Sequence, residues 1–225
     1  MTSLRLAPSI LSADFARLGE EIGAVTPYVD WFHLDVMDGH YVPNLTFGPS
    51  IVQAVRRSCD LPLHVHLMIT DPERFAPSFA EAGASRISFH PEVVTDPGAV
   101  VKEIRATGVG AGIAVHPDVD VDTARPYLDE IEVVLMMTVR PGFGGQAFLD
   151  EVVPKIAVAR AMVQESGSDA DIEVDGGVNL STLDRSVAAG GEILVAGSAI
   201  FDGVDPGGAA RRLKERLNAL ENETA

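Results

Sequence analysis

Short apolar runs rich in β-branched residues alternate with longer amphipathic segments along the whole chain. The short runs are bounded by turn-forming residues, as is typical of buried strands, whereas the longer segments have the apolar spacing of a helix that packs on one face. The pattern predicts eight strands, at residues 5–10, 31–37, 63–69, 86–90, 110–115, 133–139, 171–175 and 193–196. It also predicts eight helices, at residues 13–25, 49–57, 72–82, 98–107, 121–128, 149–165, 180–189 and 207–220.

Eight strand–helix units in alternation favour the α/β class and a closed parallel (β/α)8 barrel, the TIM barrel. The competing fold, a doubly wound open sheet, typically carries a glycine-rich turn after its first strand. Here no glycine lies between Ser9 and Asp14, and the glycine-rich turns follow strands six, seven and eight. Because no linker or low-complexity stretch interrupts the alternation, we expect one barrel domain over residues 1–225.

Composition narrows the partners and the location. The 225 residues contain no apolar stretch of the ~18 residues that span a bilayer and no basic-plus-apolar start, so we expect a cytoplasmic protein. The single cysteine, Cys59, excludes an internal disulfide, and we expect a buried, unreactive thiol at a helix end. The net charge of −16 disfavours nucleic acid and anionic membranes as partners. Any phosphate site must therefore rely on local backbone dipoles.

Polar side chains recur at every second position of three predicted strands, so that within each strand they share one face. They are His33 and Asp35 in the second strand, His64 and His66 in the third, and Glu173 and Asp175 in the seventh. An isolated His-x-Asp pair is more often a hydrogen-bonded core pair, and a terminal Asp often caps a helix, but recurrence at the same end of three strands favours a shared site. We expect His64 and Glu173, which lie deeper, to be structural.

The C-terminal strand ends of a barrel converge on its active site, so the outermost of these residues are predicted to meet there: His33, Asp35, His66 and Asp175. Burying carboxylates and imidazoles together is costly, and a shared divalent cation offsets that cost. Two His nitrogens and two carboxylates suit zinc, iron(II), manganese or cobalt. Met37, Met68 and Met137 fall near the same strand ends, and we expect their polarizable sulfurs to surround a delocalised anion.

Glycine-rich loops at neighbouring strand ends predict a phosphate site. Glycines let successive backbone amides face an anion, and we expect the following helix to add its partial positive charge. A lone glycine pair would indicate only a tight connection, but three such loops at adjacent strands favour phosphate binding. Arg140 either assists or lies on the surface. The candidate residues are Gly142, Phe143, Gly144, Gly145, Gly176, Gly177, Gly197 and Ser198.

With these residues assembled, the chain closely resembles the ribulose-phosphate 3-epimerase family. The resemblance spans the whole predicted barrel in the family's order. The matching segments are APSILSADF at 7–15, HLDVMDGHYVPNLTFGP at 33–49, HLMITDPERF at 66–75, PGFGGQAF at 141–148, EVDGGVN at 173–179 and VAGSAIF at 195–201.

The resemblance implies a metal-dependent, two-base 1,1-proton transfer that interconverts D-ribulose 5-phosphate and D-xylulose 5-phosphate through a cis-enediolate. It implies that His33, Asp35, His66 and Asp175 are the metal ligands and that Asp35 and Asp175 are also the acid–base pair. It further implies substrate binding by Ser9, His66 and the residues of the glycine-rich loops. Members of the family commonly form dimers or hexamers, so we expect a homo-oligomer.

Three positions depart from the family's pattern. Many relatives have Asp at His64, Asn at His116 and a residue other than Arg at Arg140. None belongs to the implied ligand set, but His116 ends the fifth strand, where it can alter contacts to the sugar. The alternative substrate is therefore a hexulose phosphate such as D-allulose 6-phosphate.

Two other functions are open to this fold. Decarboxylases and aldolase-type enzymes of related barrels depend on a barrel lysine, but Lys102, Lys155 and Lys214 all fall in predicted helices. A non-catalytic sensor of phosphorylated ligands is the other class, because fold alone does not establish activity. Its expected signature is a broken acid–base pair, whereas Asp35 and Asp175 are both present.

Overall fold

Within residues 3–224, which the computed structural model describes, eight parallel strands form a nearly closed barrel. The two terminal strands of the sheet meet through a parallel bridge between Ser9 and His33, and Asp30 N donates to Leu6 O at 2.9 Å beside it. The order around the barrel is β1-β8-β7-β6-β5-β4-β3-β2. The strands are β1 Arg5–Pro8, β2 Phe32–Met37, β3 Leu63–Met68, β4 Arg86–Phe89, β5 Gly110–Val115, β6 Val133–Met137, β7 Asp171–Asp175 and β8 Ile193–Ala196.

Helices on the outside of the barrel connect the strands. In the described part of the chain they are α1 Leu18–Val25, α2 Pro49–Ser58, α3 Pro72–Glu81, α4 Pro97–Ala106, α5 Val153–Ser166, α6 Leu183–Ala188 and α7 Pro206–Thr224. The predicted (β/α)8 barrel and all eight predicted strands are confirmed, with strand ends displaced by up to two residues. No helix within residues 3–224 is long and apolar enough to cross a membrane.

The predicted helix at residues 121–128 is wrong. This segment instead forms two 3₁₀ helices, Val121–Thr123 and Arg125–Tyr127. The side chain of Asp120 accepts a hydrogen bond from Asp122 N and so begins the first one. Pro126 has no amide hydrogen to donate, which prevents continuation as one α-helix.

Other helix boundaries also differ from the prediction. The helix predicted at 13–25 begins as the 3₁₀ helix Phe15–Arg17 and becomes α1 only at Leu18, and the one at 149–165 begins as the 3₁₀ helix Asp150–Val152. The helix predicted at 180–189 shortens to α6, because Asn179 and Thr182 form a side-chain-bonded turn ahead of it. The strand predicted at 5–10 ends at Pro8, since the Ser9 hydroxyl accepts from Leu11 N and begins a 3₁₀ turn.

The strand register divides the barrel interior into a polar side and an apolar side. Asp35 on β2 lies opposite His66 on β3, which lies opposite Ser88 on β4. One step deeper, His33 lies opposite His64. On the other side of the interior, buried apolar layers come from β1 and β8 and from β5 and β6: Ala7, Ile193 and Val195, and Ala114, Leu135, Met137 and Val139. The register therefore forms the polar side from β2, β3 and β4, and Glu173 and Asp175 of β7 face it from their place between β6 and β8.

Close packing inside the barrel requires a glycine beside this polar side. A Cβ on Gly112 would lie 2.3 Å from both the Ser88 hydroxyl oxygen and a methyl carbon of Val133. Any side chain at this position would displace Ser88. The Ser88 hydroxyl lies 2.6 Å from His64 Nε2. The absence of a side chain at Gly112 therefore gives Ser88 the space to make this contact.

Candidate active site and metal centre

Four buried side chains meet at the C-terminal ends of β2, β3 and β7: His33, Asp35, His66 and Asp175. One ligand atom from each lies within 4.8 Å of the others, and we call this group the ligand cluster. Oδ1 of Asp35 lies 3.3 Å from His33 Nε2 and 3.3 Å from His66 Nδ1. Oδ2 of Asp175 lies 3.8 and 4.0 Å from the same two nitrogens. The four donor atoms thus surround one point, as the alternation along the strands predicts.

Glu173 orients His33 from below the ligand cluster. Its two carboxylate oxygens lie 2.8 Å from His33 Nδ1 and 2.7 Å from His64 Nδ1. When His33 is neutral, a carboxylate there accepts its Nδ1 proton, so the lone pair of Nε2 faces the cluster. That Nε2 is buried and has no hydrogen-bond partner within residues 3–224. An unpartnered, buried lone pair beside two carboxylates fits a divalent cation.

The charges of the cluster also fit a cation. Burial lowers the pKa of His33, but the surrounding carboxylates outweigh burial and hold this pKa well above its usual value. Burial, and then the charge of Asp35, raise the pKa of Asp175 to about 8. Burial also raises the pKa of Asp35, but the two histidines overcome this and lower it below its usual value. In the metal-free protein, His33 and Asp175 therefore carry protons, which a divalent cation would replace.

The two aspartates of the cluster are in contact with the cavity, whereas the two histidines are not. His33 and His66 are fully buried, whereas the side chains of Asp35 and Asp175 are 6% and 13% exposed. Ser9 donates to Asp35 Oδ2 at 2.5 Å, which leaves Asp35 Oδ1 facing the histidines. Only the aspartates of the cluster line the cavity above it. A substrate contact by His66 stays a prediction.

The cavity, of about 320 Å³, joins the ligand cluster to the glycine-rich loops. Its volume lies at the lower end of the ~300–1,000 Å³ of small-molecule pockets, which suits a small polar ligand. The three methionines also line the cavity, and Met37 packs against Met68. The predicted site residues that line it are Ser9, Asp35, Met37, Met68, Met137, Gly142, Phe143, Gly144, Gly145, Asp175, Gly176, Gly177, Gly197 and Ser198.

The loop after β6, residues 140–146, is held by side-chain amides that engage its carbonyls. Gln146 Nε2 donates to the carbonyls of Arg140 and Phe143 at 2.7 and 2.8 Å, and Asn44 Nδ2 donates to that of Gly142 at 2.8 Å. In a trans peptide the N–H points opposite to the C=O. The amides paired with these engaged carbonyls, those of Phe143 and Gly144, therefore point away from Gln146 and Asn44.

We expected the loop after β6 to lead directly into a helix. The structure contradicts this expectation. Residues 147–149 follow it, then a 3₁₀ turn, and α5 begins only at Val153. The following helix therefore does not begin at the loop. The expected addition of its N-terminal partial charge is not supported, so the amides of the loop itself are the local dipoles available to a phosphate.

Two further glycine-bearing loops line the cavity. Gly176 and Gly177 have φ of +121° and +65°, which side-chain-bearing residues rarely adopt. After β8, the amides of Ile200 and Phe201 both donate to Gly197 O, at 2.9 and 3.0 Å. This makes one helical turn whose first amides have no carbonyl ahead of them.

Sequence reasoning missed Ser12. Its hydroxyl oxygen lies 2.8 Å from where a Cβ of Gly197 would stand and 3.4 Å from where a Cβ of Gly144 would stand. Ser12 therefore fills the gap between two of the loops, and it lines the cavity. The available signal was its place in the segment after the first strand, beside Ser9. Glu173, for which we expected a structural role, holds the rings of His33 and His64 through its carboxylate.

The residues left open by the sequence lie outside the cavity. Arg140 is exposed and pairs with Asp118 at 3.1 Å. His116 accepts from Asp118 N at 3.1 Å and is partly buried. Cys59 is buried at the end of α2, and burial raises the pKa of its thiol, as expected for an unreactive cysteine.

Comparison with known proteins decides the family. The model of the ribulose-phosphate 3 epimerase family matches residues 5–201. The chain belongs to this family. The ribulose-phosphate 3-epimerase of Mycobacterium leprae is 45% identical over 218 residues, which are 96% of each chain. That of Bacillus subtilis is 50% identical over 200 residues, covering 88% of this chain and 92% of its own.

Membership of the ribulose-phosphate 3-epimerase family confirms that the protein is an isomerase. Among solved structures, KGPDC from Streptococcus mutans in complex with D-R5P has a TM-score of 0.76, with 96% of this chain and 98% of that chain covered. At 18% identity this likeness shows the barrel fold alone.

Lysine-based chemistry has no candidate residue in the cavity. Lys102, Lys155 and Lys214 lie on α4, α5 and α7 and do not line it.

The charges of the ligand cluster predict that metal binding releases protons. Below about pH 8 Asp175 carries a proton, and His33 carries one well above the usual histidine pKa. A divalent cation must displace these protons, so its affinity rises with pH, by about tenfold per pH unit for each proton released. Calorimetric titration of the metal-free protein with Zn²⁺, in buffers of different ionisation heat, counts these protons at pH 6, 7 and 9. An affinity independent of pH with no protons released would contradict the assignment.

Proposed function

We propose that the protein is a divalent-metal-dependent 3-epimerase that interconverts D-ribulose 5-phosphate and D-xylulose 5-phosphate. One observation carries the proposal: two carboxylates of a single ligand cluster, Asp35 and Asp175, line the same small cavity as three glycine-bearing loops. That cavity offers a phosphate anchor, two proton-transfer groups and donor atoms for a cation. The names of the curated relatives support the same activity.

Two carboxylates suit an inversion at carbon 3. The hydrogen on this carbon is a weak acid because the ketone lies beside it, and a bound divalent cation supplies electrostatic stabilisation of the enediolate oxygens. Removal of the proton from one face and delivery to the other needs two groups. The cluster lowers the pKa of Asp35 and raises that of Asp175, so the two carboxylates differ in proton affinity, and a bound cation would hold both ionised until one accepts the carbon 3 proton.

The reverse reaction exchanges these roles. After one turnover the proton resides on the carboxylate that acted as the base, and the opposite epimer is deprotonated by the other. Ser9, which donates to Asp35 Oδ2, holds that carboxylate in place as its protonation changes. Asp35 and Asp175 thus serve both as ligands and as the acid–base pair in this proposal.

The phosphate is anchored by backbone amides in this proposal. Residues of the loops after β6, β7 and β8 line the cavity, and we add the hydroxyl of Ser12 to the groups that bind the phosphate. Fixed dipoles at contact distance outweigh the charges on the protein surface, which solvent screens within ~10 Å. A homo-oligomer and a metal drawn from zinc, iron(II), manganese or cobalt remain part of the proposal.

Replacement of Asp175 by Asn tests the two-carboxylate mechanism. Asn cannot accept or donate the carbon 3 proton, so kcat falls by on the order of 10³-fold or more. Asp129→Asn is the control, because Asp129 is an exposed carboxylate that does not line the cavity, and its turnover stays at the wild-type value. Chelation abolishes activity and added metal restores it. Wild-type turnover in Asp175→Asn or in chelated protein would contradict the mechanism.

The same assays separate the alternatives. A higher kcat/KM on D-allulose 6-phosphate than on D-ribulose 5-phosphate would assign the hexulose phosphate instead. A metal-loaded protein that binds the sugar phosphate but does not exchange the carbon 3 hydrogen with deuterated water would be a sensor.

The three methionines are part of the proposal, as a polarizable wall around the reacting carbons. Replacing Met37, Met68 and Met137 together by leucine keeps the volume roughly unchanged but removes the sulfurs. We expect kcat to fall while KM changes less, because a delocalised anion forms only during the reaction. Steady-state kinetics of the triple variant measure this, and unchanged kinetics would remove the methionines from the mechanism.

A further inference from the structure

His66 is contacted at both ring nitrogens. Its Nδ1 lies in the ligand cluster, and its Nε2 lies 2.9 Å from Nε2 of His90. His90 directly follows β4, is fully buried, and has no role in the cluster or the cavity. Two imidazole nitrogens at this distance form a hydrogen bond only when one carries a proton and the other offers a lone pair.

A cation in the ligand cluster decides which nitrogen carries the proton. His66 is neutral when its Nδ1 binds a cation, because a ligating imidazole nitrogen must offer its lone pair. A neutral imidazole that offers the lone pair of Nδ1 to a cation must carry its proton on Nε2. His66 then donates to His90, and His90 must accept through Nε2 and carry its own proton on Nδ1.

The surroundings of His90 favour this arrangement. Oε1 of Glu92 lies 3.3 Å from His90 Nδ1, close enough for an electrostatic attraction but not aligned as a hydrogen bond. Burial raises the pKa of Glu92, but the contact with His90 and other hydrogen bonds outweigh it and lower the pKa to about 2, so a negative charge faces that nitrogen. Tyr41 donates to the same oxygen at 2.8 Å, and its ring stacks on His90 at 4.8 Å.

The geometry points to a positioning role for His90: by accepting the Nε2 proton of His66, it keeps the Nδ1 lone pair of His66 free for the divalent cation. Glu92 holds the His90 proton on Nδ1, and Tyr41 holds Glu92. This inference rests on the metal site of the proposed function. A carboxylate performs the equivalent task for His33, through Glu173, so the two histidines of the cluster are oriented by different means.

Without an acceptor at position 90, His66 has a competing arrangement. Its Nδ1 lies 3.3 Å from Asp35 Oδ1, so the proton can move to Nδ1 and form that bond instead. A proton on Nδ1 occupies the lone pair that the cation needs. Removing the acceptor therefore weakens metal binding, even if the fold is unchanged.

Substitutions at His90 test this with metal affinity rather than turnover. His90→Phe keeps the ring and its packing but has no acceptor, whereas His90→Gln offers a carbonyl oxygen near the place of Nε2. We expect the dissociation constant for Co²⁺, measured from its visible absorption bands, to rise about 10–100-fold in His90→Phe and by only a few-fold in His90→Gln. His40→Phe is the matched control, because His40 is an exposed histidine outside the cavity, and it keeps wild-type affinity.

Binding of inorganic phosphate separates positioning from damage to the fold. The phosphate loops follow β6, β7 and β8, away from β4, so phosphate affinity is unchanged in His90→Phe if the role is positioning. Wild-type Co²⁺ affinity in His90→Phe would overturn this inference and leave the metal site intact. Wild-type protein that binds no Co²⁺ would instead overturn the metal site itself.

The protonation pattern of the wild-type protein provides a test without any variant. In Zn²⁺-loaded protein, ¹⁵N-edited NMR of the histidine rings identifies which nitrogen carries each proton. We expect protons on Nε2 of His66 and on Nδ1 of His90. A proton on Nε2 of His90 would overturn the inference. Because this test uses the wild-type protein, it is decisive even if His90→Phe fails to fold.

Discussion

The concentration of charge inside the barrel is the constraint on which the site depends. Two carboxylates and two imidazoles lie within 4.8 Å of one another, and a third carboxylate, Glu173, lies directly beneath them. Such a group cannot remain fully ionised in a medium of low dielectric without positive charge at its centre. In the protein alone, protons on His33 and Asp175 supply it. A divalent cation would supply this positive charge without protonating either aspartate, as the proposed acid–base roles of Asp35 and Asp175 require.

The same constraint explains the separation of the cavity into two regions. A protein of net charge −16 does not attract an anionic substrate overall, so in the proposed function the phosphate is bound by backbone amides. These lie on the loops after β6, β7 and β8, whereas the titratable groups lie on β2, β3 and β7. β7 serves both regions, because Asp175 ends the strand and Gly176 and Gly177 follow at once. In the proposed function, a phosphate held by these amides places the reacting carbons near the two carboxylates without adding a titratable group to the cavity.

The sequence predicts the strands and the ligand cluster because both depend on a local period of two. His33 and Asp35 share a face whatever surrounds them, and a closed barrel brings β7 to the same place. The segment 121–128 was predicted wrongly because its apolar spacing is helical while Pro126 interrupts the hydrogen bonding. The proposed roles of His90 and Ser12 depend on contacts between elements that are distant in sequence, for which the sequence offers at most the place of Ser12 close to Ser9. His90 matters through its contact with His66, and Ser12 through the gap that Gly144 and Gly197 leave.

The central claim is that these four residues hold one divalent cation. X-ray absorption of Co²⁺-loaded protein tests it most directly, together with the metal content of each chain after removal of loose ions. We expect one cobalt ion per chain, with two imidazole nitrogens and two carboxylates among its nearest neighbours, and loss of that pattern in His33→Ala. Absence of bound metal at pH 8, or a nearest-neighbour shell without imidazole, would contradict it.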